Sequence, residues 1–283
     1  MLAGELVPAS NLAVCWNFFE TSLEEYQQVT FMNFMSIRNL NDCAPKLPVK
    51  SKNNSFLSSY LAGLIEGDGT IVVPNQERSK KGKLNYPSIQ IVFQNKDFPL
   101  ITKLSLVIGH GSISKKKSSP VYVYTINNID GLIKIVNLIN GSMRGPKHNK
   151  LLKLINYINT KKEVYIKART LDLSCMLSNS WLTGFIESDG SFQVRVTSQA
   201  SNKTRLGLSC EVTQARITPY GYSTLELMKN ISICLGVTLE STREDRKYPQ
   251  YRVRTSSIST NLRLKKYLME FPLQSSKYLD FKD

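Results

Sequence analysis

Apolar residues recur at helical spacing in two stretches of the chain, 60–70 (YLAGLIEGDGT) and 181–191 (WLTGFIESDGS). Each stretch has larger apolar residues on one face, small residues on another, and a glycine directly after an aspartate. This pattern predicts a helix that ends at its own carboxylate, with the glycine as the stop signal. Six residues are identical in both stretches and in the same order. We therefore interpret the stretches as two copies of one ancestral unit.

The segments that follow each predicted helix also repeat. Alternation of apolar and polar residues predicts two β-hairpins per copy, and helical spacing returns between and after them. The order is αββαββα, twice, which indicates a pseudo-symmetric α+β fold with antiparallel sheets. Strands are expected at 71–75, 88–94, 112–116, 121–126, 192–197, 206–214, 237–242 and 250–255, and further helices at 98–107, 132–139, 150–158, 222–235 and 261–271.

The first residues differ in character from the repeated body. Residues 1–45 are rich in aromatic side chains and contain five acidic residues and one basic residue, and a segment with Pro, Lys and Asn follows them. We assign 1–55 to an N-terminal extension and linker of unknown role. Residues 56–158 form the first unit, 159–178 connect the units, and 179–283 form the second unit.

Small residues form a stripe along each predicted motif helix, with Gly63 and Gly184 at matching places. Such stripes let two helix backbones approach closely, which would bring Asp68 and Asp189, 121 residues apart, to one shared end. Two carboxylates about 5 Å apart repel by about 3 kcal/mol at an effective dielectric of about 20. Both also face the negative end of a helix dipole. A bound divalent cation would reverse both effects, so a cation site is favoured over two solvated helix ends.

The composition indicates a polyanionic partner, because 37 Lys and Arg against 22 Asp and Glu give a net charge of +15. The five cysteines form no Cys-x-x-Cys pair, so neither a zinc site nor a disulfide framework is expected. No apolar run approaches the roughly 20 residues of a membrane span, and no signal or transit peptide is expected. Abundant Lys, Asn and Ile are compatible with AT-rich coding sequence and synthesis inside an organelle.

Alternation along the hairpins predicts which side contacts this partner. In the second copy, Phe192, Val194 and Val196 share one face, and polar residues that can bond base edges or phosphates share the other. Basic residues recur in matching turns, as several phosphate contacts along one surface require. The candidate nucleic-acid-binding residues are Val72, Gln76, Arg78, Lys80, Lys81, Lys115, Lys116, Lys117, Gln193, Arg195, Thr197, Gln199, Arg205, Arg243, Arg246, Arg252 and Arg254.

The paired motifs, with the hairpins behind them, resemble the signature of LAGLIDADG homing endonucleases in their two-motif, single-chain, intron-encoded form. The resemblance covers about residues 56–281. It implies a monomer shaped as a saddle, with the motif helices at the interface of two halves. It also implies that the antiparallel sheets lie in the major groove of a long, non-palindromic double-stranded DNA site, whose two strands are cut to leave cohesive ends.

The resemblance identifies the last acid of each motif, Asp68 and Asp189, as a metal-binding residue, with help from backbone carbonyls near Gly67 and Ser188. Hydrolysis of a phosphodiester needs an activated water and a leaving oxygen relieved of charge. Divalent ions bound by carboxylates and substrate phosphates supply both. We expect Mg²⁺, with Mn²⁺ or Ca²⁺ able to replace it for binding.

Two further pairs of residues match the family by position. Gln94 and Gln214 correspond to its water-positioning glutamine, and Lys147 and Lys277 correspond to its basic residue near the cleft, which stabilises developing charge. We treat all four as candidate catalytic residues together with the two aspartates.

The motif glutamates, Glu66 and Glu187, lie two residues before the aspartates and project elsewhere on the helix. We expect them to take part in helix packing or in a salt bridge rather than in metal binding.

Two other functions remain open on the same scaffold. One is an RNA maturase that helps a host group I intron to splice, because positive charge does not distinguish RNA from DNA. The other is a DNA-binding protein without cleavage activity. The intact acid in both motifs favours the nuclease, and the organellar composition favours a mitochondrial location.

Overall fold

The computed structural model describes residues 53–117, 119–162, 164–198 and 204–282. The expected extension at 1–55 therefore lies almost entirely outside the described residues, together with Gln199. The strands at 190–198 and 204–215 are described, but the side chains of Thr197 and Arg205 are not. No helix within the described ranges is long and apolar enough to cross a membrane.

The predicted order of elements occurs twice, and each half ends in a pair of helices. The short last helix of the second half was not predicted from the sequence. The first half consists of α1 Asn53–Asp68, β1 Gly69–Val72, β2 Ser88–Gln94, α2 Phe98–Ile108, β3 Ser112–Lys115, β4 Val121–Ile126, α3 Ile129–Ile139 and α4 His148–Lys161. The second consists of α5 Trp181–Asp189, β5 Gly190–Ser198, β6 Thr204–Ala215, α6 Leu225–Leu235, β7 Leu239–Thr242, β8 Gln250–Thr255, α7 Ile258–Glu270 and α8 Lys277–Lys282.

Each half contains a four-stranded antiparallel sheet, with strand order β1-β2-β4-β3 in the first and β5-β6-β8-β7 in the second. One face of each sheet packs on helices, and the other is called the open face below. In the first half, alternate residues such as Ile89 and Ile91 are buried and belong to the same apolar core as Leu104 and Ile135 of the helices. The duplicated α+β fold with antiparallel sheets is thereby confirmed.

The two motif helices, α1 and α5, contact each other directly along a buried surface, called the seam below. A Cβ atom built at Gly63 would lie 2.0 Å from the carbonyl oxygen of Trp181, and one at Gly184 would lie 2.0 Å from that of Tyr60. Backbone therefore meets backbone at both places, as the small-residue stripes predict. No residue larger than glycine fits there without separating the helices.

The glycine after each aspartate has a different role from the one predicted. Gly190 has φ −81° and ψ 149°, an extended conformation rather than a left-handed helix cap. A Cβ at Gly69 would lie 2.6 Å from the carbonyl oxygen of Ile65, and one at Gly190 would lie 2.7 Å from that of Ile186. Glycine is needed here because the strand that begins at this residue runs close against the last turn of the preceding helix.

The glutamate of the first motif fastens the segment 144–147, called the Lys147 arm. The buried Glu66 carboxylate accepts hydrogen bonds from the backbone N–H of Arg144 at 3.0 Å and of Gly145 at 2.5 Å. It also accepts one across the seam from Nε1 of Trp181 at 2.9 Å. Burial raises the pKa of Glu66 to about 7, although these donors oppose the shift.

The glutamate of the second motif holds the segment 274–277, the Lys277 arm, in the same way. Glu187 accepts from the backbone N–H groups of Gln274 and Ser275, the latter at 3.0 Å, and from the Ser275 hydroxyl. Across the seam it accepts from the hydroxyl of Tyr60 at 3.4 Å. Neither motif glutamate forms a salt bridge within the described residues, so packing and hydrogen bonding are the roles found.

Substitution of a seam glycine tests whether backbone contact holds the halves together. Gly63→Ala should lower the free energy of unfolding by about 3 kcal/mol, because an added methyl group must push the helices apart. Gly207→Ala is the matched control, since a Cβ there meets nothing closer than 3.9 Å, and it should stay within about 0.5 kcal/mol of wild type. Denaturant unfolding measures both, and equal values for the two variants would contradict the seam.

Removal of a motif glutamate tests its hold on the arm. Glu66→Ala should cost about 3 kcal/mol or more, because it leaves two backbone N–H groups and an indole N–H without their acceptor. Glu77→Ala is the control, since Glu77 forms only an exposed ion pair with Lys161, worth less than about 1 kcal/mol. Chemical denaturation of the two variants provides the comparison. A Glu66→Ala protein as stable as Glu77→Ala would refute this role.

Candidate active site

The two candidate metal-binding aspartates end the two motif helices and lie together at one end of the seam. Asp68 ends α1, where its side chain is exposed, and Asp189 ends α5, where its side chain is partly buried. Burial and, next to it, the nearby charge of Asp68 raise the pKa of Asp189 to about 6, although the two lysines and the Gln214 hydrogen bond act in the opposite direction. Loss of hydration also raises the pKa of Asp68, while Lys277 and Lys147 act in the opposite direction. The carboxylates are thus close enough to repel each other.

Lys147 caps the end of the first motif helix. Its Nζ donates to the backbone carbonyls of Ile65 at 3.1 Å, Gly67 at 2.5 Å and Gly69 at 2.7 Å. The last carbonyls of a helix have no partner within the helix, and a cation is favourable at this end of the dipole. The ammonium group therefore satisfies three carbonyls and lies beside the carboxylates at the same time.

Lys277 repeats this arrangement in the second half. Its Nζ donates to the carbonyls of Ile186 at 3.0 Å and Ser188 at 3.1 Å, which correspond to Ile65 and Gly67. Burial lowers the pKa of Lys277, and the surrounding carboxylates act in the opposite direction. The alignment of the two lysines made from the sequence thus corresponds to matched positions in the structure.

The two candidate glutamines differ in their contacts. Gln214 donates from Nε2 to Oδ2 of Asp189 at 2.6 Å. Gln94 has an exposed side chain that lines a cavity of about 260 Å³ together with Asp68 and Lys277. Within the described ranges no hydrogen bond joins Gln94 to Asp68. Both glutamines are next to the aspartates, but only Gln214 is bonded to one.

The donor atoms at this end of the seam suit a hard divalent cation. They are carboxylate and carbonyl oxygens. The carbonyls of Gly67 and Ser188 already accept hydrogen bonds from the lysine ammonium groups, which are themselves cations. No group of three or more His, Cys, Asp or Glu side chains that could hold a metal occurs in the described part of the chain. Mg²⁺ needs no such group, because one or two carboxylates and substrate phosphates are enough. A metal ion and the ammonium groups would, however, compete for these carbonyls.

The register of the second sheet places the predicted polar residues together on its open face. Gln193 and Arg195 of β5 share this face with Arg252 and Arg254 of β8. Arg252 donates to Oε2 of Glu240 at 2.5 and 2.9 Å, and Arg254 donates to the Ser209 hydroxyl at 3.2 Å. The two β8 arginines are therefore held in place by neighbouring side chains.

One predicted contact residue lies on the other face of its sheet. The register pairs Lys115 with Tyr122, on the same face as Ile113 and the buried Tyr124, and the Lys115 ammonium lies 6.0 Å from the centre of the Tyr122 ring. This is the helix-covered face, so the assignment of Lys115 to the contact surface is revised. The remaining candidates in the first sheet and in the loops are exposed, namely Val72, Gln76, Arg78, Lys80, Lys81, Lys116, Lys117, Arg243 and Arg246.

The apolar face predicted for β5 is only partly covered. Phe192 packs against Phe281 of α8 with ring centres 5.7 Å apart. Val194 and Val196, further along the strand, are 65% and 64% exposed. The hairpin of β5 and β6 thus extends beyond the helices that cover its base, which the alternation alone does not indicate.

Several polar residues near the site were missed. Ser88, Gln90 and Thr125 lie on the open face of the first sheet, where the register pairs Gln90 with both Thr70 and Thr125. The alternation in the stretch SIQIVFQ at 88–94 could have identified the first two. Asp97, which lines the cavity beside Asp68, was also missed because it follows the predicted strand in a short turn.

Comparisons with known proteins agree with this arrangement. The family model described as LAGLIDADG endonuclease matches residues 61–158 and 182–283. The intron-encoded DNA endonuclease aI3 of Saccharomyces cerevisiae is 31% identical over 261 residues, which cover 82% of this chain and 63% of that protein. The intron-encoded RNA maturase bI4 of the same organism is 26% identical over 184 residues, covering 63% of this chain and 26% of that protein. The chain thus spans less than two thirds of either relative.

A solved structure has the same fold. The meganuclease I-SmaMI, crystallised with uncleaveable DNA, superposes with a TM-score of 0.61 at 20% identity, over 80% of this chain and 88% of that chain. Because the family model matches both halves, from the motif helix to the closing helices, this chain belongs to the LAGLIDADG endonuclease family.

Proposed function

We propose that this chain is a homing endonuclease that hydrolyses both strands of one long, asymmetric double-stranded DNA site and leaves cohesive ends. It acts as a monomer, with Asp68 and Asp189 as the metal-binding residues of two adjacent cleavage centres. The observation that carries the proposal is the pair of matched carboxylates at the seam, each beside a half-buried lysine. If the two aspartates were only solvated helix ends, their proximity would be unfavourable, because their charges repel each other.

The metal, when bound with a phosphate of the substrate, supplies an activated water and relieves the leaving oxygen of charge. Asp68 and Asp189 would hold it, and Mg²⁺ fits their oxygen donors, with Mn²⁺ or Ca²⁺ as substitutes for binding. Gln214 orients the Asp189 carboxylate through its amide N–H, and its side-chain oxygen can accept a hydrogen bond from a water. Gln94 would serve the other centre from the cavity wall.

The two lysines have a dual task in this proposal. Before substrate enters, Lys147 and Lys277 offset the repulsion between the crowded carboxylates. When a scissile phosphate lies beside them, the same ammonium groups can stabilise the negative charge that develops in the transition state. Each ammonium is pre-positioned by its carbonyl contacts, so little reorganisation is needed at that moment.

The open faces of the two sheets would lie in the major groove. They carry different side chains, with Gln193, Arg195 and Arg254 in the second half and mainly Ser, Thr and Gln in the first. Side chains of this kind can bond the edges of bases, and the exposed lysines and arginines of the loops can contact phosphates. Because the two faces differ, the target is expected to be asymmetric.

An RNA maturase is the second candidate, and its specific support is the similarity to the bI4 maturase. The net charge of +15 suits folded intron RNA as well as DNA. Retention of both carboxylates and both lysines at the seam favours cleavage, because binding of RNA alone does not need them. In either case the protein would be encoded by an intron. A mitochondrial location fits the abundance of Lys, Asn and Ile, which is compatible with AT-rich organellar coding sequence.

Metal dependence and the aspartates can be tested together on a duplex that joins the two exon sequences flanking the reading frame. Wild-type protein should cut both strands in Mg²⁺ and neither strand in a chelator. Asp68→Asn and Asp189→Asn should each slow cleavage about a thousandfold, equivalent to about 4 kcal/mol, and keep DNA affinity in Ca²⁺. Asp130→Asn, an exposed acid on α3, is the matched control and should cut normally.

Cleavage that persists in the chelator or in the double variant would contradict the proposal. Tight binding to the intron RNA without any cut in the joined exons would favour the maturase instead.

The open face can be tested by its salt dependence. Arg195→Ala should weaken DNA binding about tenfold and reduce the slope of log K against log salt by about 1, because one cation that neutralises the charge of the bound DNA is lost from the open face. Lys115→Ala is the matched control, because it removes an exposed cation from the helix-covered face and should change neither quantity. Fluorescence anisotropy titrations at several salt concentrations give both. Equal effects of the two substitutions would rule out the proposed face.

A further inference from the structure

The two cleavage centres differ three residues after the candidate glutamine. The first half has Asp97 at this position, counted from Gln94, whereas the second half has Ile217, counted from Gln214. Asp97 lines the same cavity as Asp68 and Lys277, and Ile217 is 55% exposed. The first half therefore adds a third carboxylate to Asp68 and Asp189, and the second half has no carboxylate at the equivalent position.

The Asp97 side chain does not cap the helix that it precedes. It is the N-cap residue of α2, where an aspartate usually accepts a hydrogen bond from the N–H of the second or third helical residue. The second helical residue is Pro99, which has no N–H, and the Asp97 side chain makes no capping bond. Its Oδ1 accepts instead from the backbone N–H of Ser276 at 2.9 Å, in the other half of the molecule.

This bond fastens the Lys277 arm directly beside its lysine. Glu187 holds the arm at Gln274 and Ser275 from within the second half, and Asp97 adds a hold at Ser276 from the first half. The next residue, Lys277, reaches the end of α5. The position of its ammonium group thus depends on both halves at once.

The Lys147 arm has a different connection to the opposite half. There the ammonium of Lys150 lies 3.9 Å from the centre of the Tyr220 ring. This cation–π contact lies beyond the arm, on α4. Within the arm, the Arg144 guanidinium lies 6.0 Å from the centre of the Trp181 ring, so these two contacts with the second half are made by cations on aromatic rings and not through a carboxylate hydrogen bond. The two lysines therefore occupy matched positions but are secured in different ways.

We propose that Asp97 is a positioning residue that holds the Lys277 arm across the seam and makes the two cleavage centres inequivalent, so that only one DNA strand depends on it for rapid cleavage. The inference rests on the proposed endonuclease function, because it assigns a strand to each centre. Asp97 acts through Lys277 and the Ser276 N–H rather than on the reacting atoms.

Strand-specific kinetics provide the test, with the joined-exon duplex carrying a different label on each 5′ end. Asp97→Ala should slow one strand about tenfold and the other less than about twofold, so that a nicked product accumulates. Asp97→Asn should recover most of the rate, because its side-chain oxygen can accept the same hydrogen bond. Ile217→Ala, the equivalent position in the second half, should leave the ratio of strand rates unchanged. Equal slowing of both strands, or an Asn variant as slow as Ala, would overturn the proposal.

Hydrogen exchange separates this inference from the proposed function. In DNA-free protein, the Ser276 amide should exchange about tenfold faster in Asp97→Ala than in wild type, and at the wild-type rate in Asp97→Asn. Unchanged protection in Asp97→Ala would refute the hold on the arm, whether or not the protein cuts DNA. A wild-type protein that protects Ser276 but cuts neither strand would instead overturn the endonuclease function, and the assignment of strands with it.

Discussion

Direct backbone contact between α1 and α5 is the constraint on which the rest of the structure depends. At Gly63 and Gly184 the helices approach to a distance that excludes a Cβ atom, so their relative position has little freedom. Such close packing at the middle of the seam keeps the helix ends together as well, and each end carries an aspartate. The repulsion between Asp68 and Asp189 is therefore a consequence of the packing that joins the halves.

The motif glutamates connect assembly of the seam to assembly of the site. Glu66 bonds the Lys147 arm of its own half and Trp181 of the other half, and Glu187 does the same with the Lys277 arm and Tyr60. A buried carboxylate that lost either set of donors would carry a large desolvation cost. Correct docking of the helices and correct delivery of the two lysines thus stabilise each other.

Much of this could be predicted from the sequence, because the duplication makes each half a check on the other. The strands at 88–94, 121–126 and 250–255 have the predicted bounds, and both aspartates and both lysines lie at the seam. The exceptions depend on tertiary contacts that a local pattern does not contain. Lys115 lies on a short edge strand whose facing is set by its pairing with β4, and the exposure of Val194 depends on how far the covering helices extend. Asp97 bonds a residue 179 positions away.

On the open face of the second sheet, acidic side chains restrain the arginine Arg252, a candidate DNA-contact residue. Glu211 and Glu240 lie on this face although a carboxylate repels phosphates, and both lie beside Arg252, at 3.7 and 2.5 Å. The guanidinium has five N–H donors, so contact with the carboxylates leaves donors for a base edge and also limits its rotation. An arginine held in this way loses less conformational freedom on binding than a free one. In the proposed endonuclease, the acids would therefore reduce the overall attraction for DNA but favour a site where Arg252 meets a matching base.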